Sequence, residues 1–277
     1  VTNTHHRIFS ALVLMAIVAI VVYLGKIPTL LFCMVAGVLS IDELLNNFSK
    51  ISRSSSHYLT IQFLFLISFL VLNIFFDLIH TKTLFTFISI FFNGFLIYYL
   101  FKIPLQNNFM VNNAKNLPGI LSILIIFPLL SIGTHFDTSD WRKILLLLLI
   151  VTFSMDTGAW FFGKNFGKHK LWPAVSPNKT IEGLVGGMFT SALLGSFFWQ
   201  YLFGQFKIEN SVIFALCGLV SQVGDLIQSK IKREFAIKDS SSLIPGHGGV
   251  YDRIDSLIFL SPFFVLVVKY LRHQVVM

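Results

Sequence analysis

The chain has 277 residues, 55% of them hydrophobic and only 12% charged, with a mean hydropathy of +0.77. Soluble domains carry roughly 25% charged residues, so a soluble chain of this length could not hide so much apolar surface, and the composition reads as an integral membrane protein. The net charge of +8 reads as the Lys and Arg excess of cytoplasmic loops, with no nucleic acid expected as a partner, although such basic loops also attract the phosphates of lipids and nucleotides.

A helix needs about 20 apolar residues to cross a bilayer. Nine runs approach that length: 8–24, 27–45, 58–79, 84–101, 117–132, 144–162, 184–204, 211–228 and 255–272. They predict an all-α, polytopic helical bundle with about nine transmembrane helices. His5, His6 and Arg7 precede the first run, and no small-residue cleavage site follows it, so a retained span is expected there, not a signal peptide. The third and fourth runs are almost free of polar residues and are expected to face lipid. The fifth is short and holds Pro128, which predicts a kink or an earlier start. Cys33 and Cys217 lie in apolar runs and read as buried small hydrophobes; two such residues build neither a disulfide framework nor a zinc site. The Ser52–Ser56 stretch reads as a loop, and no internal repeat is evident. One membrane domain over 1–277 is expected, with spans one to five in 1–143 and the chemistry in 144–277.

Strict alternation of nine spans puts Arg7, Lys50, Arg53, Lys102, Lys115, the 164–179 bases and the 230–253 bases on one side. The smaller share, with Lys26, Lys82 and Arg142, falls on the other. The bias predicts a cytoplasmic N-terminus. Asp42, Glu43, Asp156, Glu182, Asp225, Glu234, Asp239, Asp252 and Asp255 gather on or near the basic side. Acids contribute little to that rule, so a polar site facing the cytoplasm is expected.

The first charged constellation begins at Asp156-Thr157-Gly158-Ala159, where span six closes. It continues through Gly163, Lys164, Gly167 and Lys168 to Ser176-Pro177-Asn178-Lys179-Thr180-Ile181-Glu182-Gly183. The glycines mark turns, or in Gly186-Gly187 allow close helix packing, or help to cradle a phosphate; their spacing leaves these open. Ser176 or Asn178 is expected to cap the next helix, with Glu182 in its first turn as in a capping box. The open N–H groups of that helix end, with Lys179 beside them, suit an anion. Asp156 is a functional candidate because a carboxylate near the membrane needs a reason to be there; the plainer alternative is an ion pair with Lys164 or Lys168.

The second constellation runs from Asp225 to Asp255. Asp225, Ser229 and Lys232 fall on one stripe of a helix. Asp252 and Asp255 share a face if the last span begins near Val250. Three carboxylates on two helix ends suit a hard cation such as Mg²⁺, which takes oxygen ligands together with substrate phosphates. Zinc is disfavoured, since His247 is the one nitrogen ligand nearby and no Cys accompanies it. The Pro245-Gly246-His247-Gly248-Gly249 turn has open backbone N–H groups that can nest a phosphate, or it is a plain helix-entry loop. Lys230, Lys232, Arg233 and Lys238, interleaved with Asp239, read as a phosphate clamp or as cytoplasmic anchors.

The run Ser229-Lys230-Ile231-Lys232-Arg233, Lys238-Asp239, Pro245 to Gly249 and Asp252-Arg253-Ile254-Asp255 resembles the signature of the phosphatidate cytidylyltransferases, or CDP-diacylglycerol synthases. Asp156 to Ala159, Gly163, Ser176-Pro177, Lys179-Thr180 and Glu182-Gly183 match as well. The chain departs from the family's pattern at Asn178, commonly Lys, and at Ile181, commonly Trp. The resemblance implies transfer of the CMP moiety of CTP to phosphatidate, giving CDP-diacylglycerol and pyrophosphate for phospholipid synthesis. It implies Mg²⁺ dependence, with a two-metal centre and a monovalent ion such as K⁺ assisting. On this reading Asp225, Asp252 and Asp255 hold metal, with Asp239 and Asp156 as further ligands. Lys179, Ser229, Lys232, Arg233 and His247 serve the reaction. Ser176, Thr180, Lys238, Gly246, Gly248, Gly249 and Arg253, again with Lys179, bind substrate. A bacterial inner membrane location with the site facing the cytoplasm is expected, and a homodimer face cannot be told from a lipid face. An ion-coupled transporter and a CTP-using polyprenol kinase are the rival readings.

Overall fold

Apolar runs fold as helices because a bilayer offers no partner for an open backbone N–H or C=O. The computed structural model describes residues 2–76, 78–117, 119–204, 207–246 and 248–276, with side chains described from residue 9 to 272. The helices are α1 (Thr2–Leu24), α2 (Lys26–Asp42), α3 (Ser56–Leu70), α4 (Ile79–Lys102), α5 (Phe109–Asn116), α6 (Ile123–Ser131), α7 (Trp141–Phe166), α8 (Ile181–Phe203), α9 (Ile208–Glu234) and α10 (Tyr251–Val276). A short antiparallel hairpin, β1 (Lys170–Trp172) and β2 (Ser176–Thr180), stands between α7 and α8. The all-α membrane architecture expected from composition is therefore the observed one.

Among the described residues seven helices are long and apolar enough to cross a membrane, or eight if one bent pair counts as a span. Two expected spans account for the difference from nine. The apolar part of α1, Phe9–Leu24, is short. The fifth is broken: Leu105–Asn116 and Ile120–Phe136 meet at 102°. Gly119 turns the chain at that break with a φ of +88°, a left-handed conformation that L side chains rarely adopt. Pro128 lies inside the short α6, which tightens into a 3-10 turn over Ile132–Phe136. The Ser-rich stretch before α3 ends in a cap, with Ser55 Oγ accepting the Tyr58 N–H at 3.2 Å.

The chain divides into two compact units, each assembled from separated segments. The first comprises Val1–Ser89, Lys102–Phe136 and Ile231–Ile254. Its core holds Leu30, Ile41, Leu44, Leu45, Phe65, Phe69 and Ile125. Helix α2 continues into a π-helical turn over Glu43–Phe48, and α3 into another over Val71–Phe75. Arg53 donates two bonds to Asp42, both at 2.8 Å, which raises its guanidinium pKa further above the usual range.

The second unit comprises Ile90–Phe101, Asp137–Lys230 and Asp255–Met277. Its core is one cluster that includes Leu147, Val151, Trp199, Phe214, Leu260 and Phe264. Helices α7 and α8 approach closely because small residues face the contact. A Cβ on Gly187 would stand 2.7 Å from the Met155 carbonyl oxygen, and one on Gly183 2.7 Å from that of Ala159. These glycines are helix-packing residues. On the outside, Phe63 of α3, Phe91 of α4 and Phe189 of α8 are exposed, as lipid-facing side chains are. Asn93, buried in α4, finds a partner in the second unit, its Nδ2 donating to the Phe259 carbonyl at 3.0 Å.

Candidate functional site

In the second unit, α7 runs on through Gly163, Lys164 and Asn165 to Phe166, so the expected long loop shrinks to the hairpin. Lys164 lies over the Trp160 ring, 5.0 Å from its centroid. Strand β2 carries Ser176, Asn178 and Lys179, and neither Ser176 nor Asn178 caps α8. Thr180 does so, because the strand conformation lasts until that residue; its Oγ1 accepts the Gly183 N–H at 3.1 Å. Glu182 sits in the first turn as expected. Its carboxylate turns to the hairpin's leading edge, accepting the His169 N–H at 3.2 Å and meeting His169 Nδ1 at 2.6 Å.

The hairpin sets Lys179 against α9. Its Nζ donates to Asp225 Oδ2 at 2.6 Å, while Ser229 Oγ donates to Oδ1 at 3.3 Å and Gln222 Nε2 to Oδ2 at 3.4 Å. The Lys179 and Asp225 side chains retain 20% and 30% exposure, so the pair is open at the protein surface. Asp156 is exposed on α7. Asp255 is half-buried in the first turns of α10 and accepts the Ser256 N–H at 2.7 Å. Helix α10 begins at Tyr251, beside the expected Val250.

The first unit holds the glycine-rich loop. Lys232 Nζ donates to Asp252 Oδ1 at 2.9 Å, with side chains only 12% and 3% exposed. Asp252 Oδ2 accepts the backbone N–H groups of Ser240 at 2.8 Å and Gly249 at 2.9 Å. Ser240 Oγ lies 2.9 Å from the same oxygen. Ile244 and Gly248 pair across the loop. Gly246 and Gly248 take φ of +74° and +81°, which explains glycine at these turns. A Cβ on Gly249 would collide with Ser240 Oγ and Glu43 Oε2, so the loop closes only on glycine there. Lys238, Asp239, Arg233 and Arg253 are exposed. His247 lies outside the described residues.

Glu43 was not legible as a site residue. It opens the π-helical turn after α2, is 2% exposed, and holds the loop from far along the chain. Its Oε1 accepts Ser241 Oγ at 2.7 Å and the Val250 N–H at 2.8 Å. Its Oε2 meets Ser240 Oγ at 2.8 Å and accepts the Tyr251 N–H at 3.0 Å. Its sequence signals are its place at the end of an apolar run and among the acids gathered on the basic side. Elsewhere in the basic run of α9, two residues fasten helix ends. Lys230, 2% exposed, donates to the Tyr99 and Leu100 carbonyls at the end of α4 at 2.6 and 2.9 Å. Glu234 accepts the Met110 N–H at the start of α5 at 2.7 Å.

Among the described residues no three His, Cys, Asp or Glu side chains group to hold a metal ion. Mg²⁺ commonly takes only one or two carboxylates and completes its shell with water and phosphate. Asp225 fits that use, being part-exposed with a hydroxyl beside it. Asp252 fits poorly, because its side chain is only 3% exposed and its oxygens are turned to the loop and to buried Lys232.

Compared with known proteins, the chain matches the model of the Cytidylyltransferase family over residues 5–271. It is 42% identical over 127 residues to a protein from Staphylococcus aureus (strain COL) named phosphatidate cytidylyltransferase, covering 45% of this chain and 48% of the relative. A protein of the same name from Bacillus subtilis (strain 168) is 44% identical over 117 residues, covering 41% of this chain and 43% of the relative. The chain thus spans about half the length of the curated relatives it matches.

Proposed function

This chain belongs to the cytidylyltransferase family, and on that premise we propose that it transfers the CMP moiety of CTP to phosphatidate, yielding CDP-diacylglycerol and pyrophosphate. The observation that carries the reading is the partly exposed pair of Lys179 and Asp225, set on a hairpin and a helix beside Ser229. A phosphatidate phosphate oxygen attacks the α-phosphorus of CTP, a new P–O bond forms, and the bond to the bridging oxygen of the leaving pyrophosphate breaks. The nucleophile is already anionic, so no serine or cysteine nucleophile is needed. The work is positioning and offsetting charge between two anions.

Lys179 leaves Asp225 for a substrate phosphate when one arrives. Lys232, Arg233, Lys238 and Arg253 supply further positive charge, and the glycine-rich loop, apart from the Gly249 N–H that Asp252 holds, is the proposed backbone nest for phosphate. Ser176, Thr180, Ser229 and His247 are proposed phosphate contacts. When bound, Mg²⁺ would neutralise phosphate charge, and Asp225 is the carboxylate that would hold it. Asp156, Asp239 and Asp255 are proposed as further oxygen donors. The site faces the cytoplasm of a bacterial inner membrane, and phosphatidate enters sideways from the inner leaflet.

The test is incubation of the purified protein in detergent with CTP, phosphatidate and Mg²⁺, following pyrophosphate and CDP-lipid together. Both products are expected, and both are expected to vanish when phosphatidate is omitted. Release of CDP in place of pyrophosphate would indicate a kinase, and no turnover by folded protein would sink the reading.

A further inference from the structure

We propose that Glu43, in the N-terminal part of the chain and outside every motif that carries the resemblance, is a positioning residue for the substrate-phosphate contacts of the glycine-rich loop. The inference rests on the function proposed above. Glu43 is buried and accepts from two backbone N–H groups and one hydroxyl of the segment it holds, Ser241 Oγ, Val250 N and Tyr251 N. A carboxylate this deep in protein is tolerated only because donors surround it. Two of those donors are N–H groups at the start of α10, which have no partner within their own helix.

The fourth contact carries the argument. Ser240 Oγ stands 2.8 Å from Glu43 Oε2 and 2.9 Å from Asp252 Oδ2, so one hydroxyl hydrogen bridges two carboxylates. Asp252 in turn holds Lys232 at 2.9 Å. A connected path of hydrogen bonds therefore runs from Glu43 through Ser240 and Asp252 to the Lys232 ammonium. Asn47 Nδ2, on the same π-helical turn, donates to the Ser240 carbonyl at 2.8 Å, so this segment grips Ser240 twice. π-Helical turns interrupt regular helices and often occur at functional sites; here the turn's first residue is the one that reaches the loop. Glu43 touches no substrate in this scheme. It sets where Lys232 and the Gly248 and Gly249 backbone stand before phosphate arrives.

The variants Glu43→Gln and Ser240→Ala decide the matter, each purified and compared with the wild type for melting temperature, kcat and the separate KM values for CTP and phosphatidate. Folded Glu43→Gln is expected to raise the KM of the substrate whose phosphate the loop holds about tenfold, with the other KM within about twofold of wild type, a split that a merely structural loss of folded protein does not produce. Ser240→Ala, which removes the bridge and leaves other donors on both carboxylates, is expected to move the same KM the same way by about threefold. KM values for both substrates unchanged in folded Glu43→Gln overturn the proposal. If Glu43→Gln fails to fold, unchanged KM values in Ser240→Ala overturn it. A wild-type chain that makes no CDP-lipid removes the reading beneath the proposal, and is told apart because it needs no variant.

Discussion

Asp225 and Lys179 form the contact on which the proposed chemistry turns. At 2.6 Å and partly exposed, the pair neutralises itself, yet each partner can turn to an incoming ion or phosphate. Pairs open to their surroundings contribute only about 0–1 kcal/mol to stability, so losing this partly exposed one is expected to leave the fold in place. Asp225→Asn is expected to leave the protein folded and to lower turnover by at least about 100-fold, read as pyrophosphate release across excess Mg²⁺. Wild-type rates across that range would remove Asp225 from the mechanism. Lys179→Met is expected to raise the KM of a phosphate-bearing substrate about tenfold, the loss of one charge-assisted contact; unchanged kinetics would leave Lys179 as a topological anchor. Lys232 and Asp252 differ because they are buried, and breaking such a pair leaves an uncompensated charge. At this scale the sequence supplied the ionisable residue types and their spacing. It placed Glu43 among the acids of the basic side but did not supply its role, because its partners lie about 200 positions away.

At the scale of elements, the basic run on α9 divides by what each side chain reaches. Lys232 meets the loop, whereas Lys230 meets the open carbonyls at the end of α4, where a cation is favoured. Lys230→Met is expected to cost about 2 kcal/mol because two buried acceptors lose a charged donor. The melting temperature should fall while the KM values of the remaining folded enzyme stay at wild type. A large KM change with an unmoved melting temperature would assign Lys230 to substrate. The hairpin is the element that hydropathy could not reveal. It replaces an expected loop, moves the helix cap to Thr180 and aims Lys179 at Asp225. The Gly186-Gly187 pair, by contrast, behaves as small residues at a helix contact do, since added carbons would strike Phe162 and Met155.

For the molecule as a whole, the open question is which way it faces. Counted over the nine apolar runs of the sequence, the Lys and Arg bias predicts that the 167–180 and 235–250 segments lie in the cytoplasm. In a background with Cys33 and Cys217 replaced by Ser, a cysteine at Ala174→Cys or Ser242→Cys should react with a membrane-impermeant thiol reagent only from the cytoplasmic side. One at Ser139→Cys should react only from the other. The reverse pattern would invert the orientation and exclude access of cytoplasmic CTP to the loop. All three positions are exposed, so a failure to label would not come from burial.

Composition alone determined that this chain lives in a membrane as helices, because the backbone has no other way to satisfy its polar groups in hydrocarbon. The signature residues alone carried the family, since glycine, lysine and aspartate at fixed spacing are what phosphate chemistry at a helix start requires. The tertiary structure decided what spacing cannot encode. It showed that the fifth apolar run breaks at Gly119, because a left-handed residue ends a helix whatever the hydropathy around it. It showed that Thr180 makes the cap, and that Lys230 fastens a helix end. It also showed that a buried glutamate near residue 40 holds a loop near residue 250. The Lys230 and Glu43 contacts are long-range, and their partners are fixed by packing and by the cost of leaving a buried charged group unpaired.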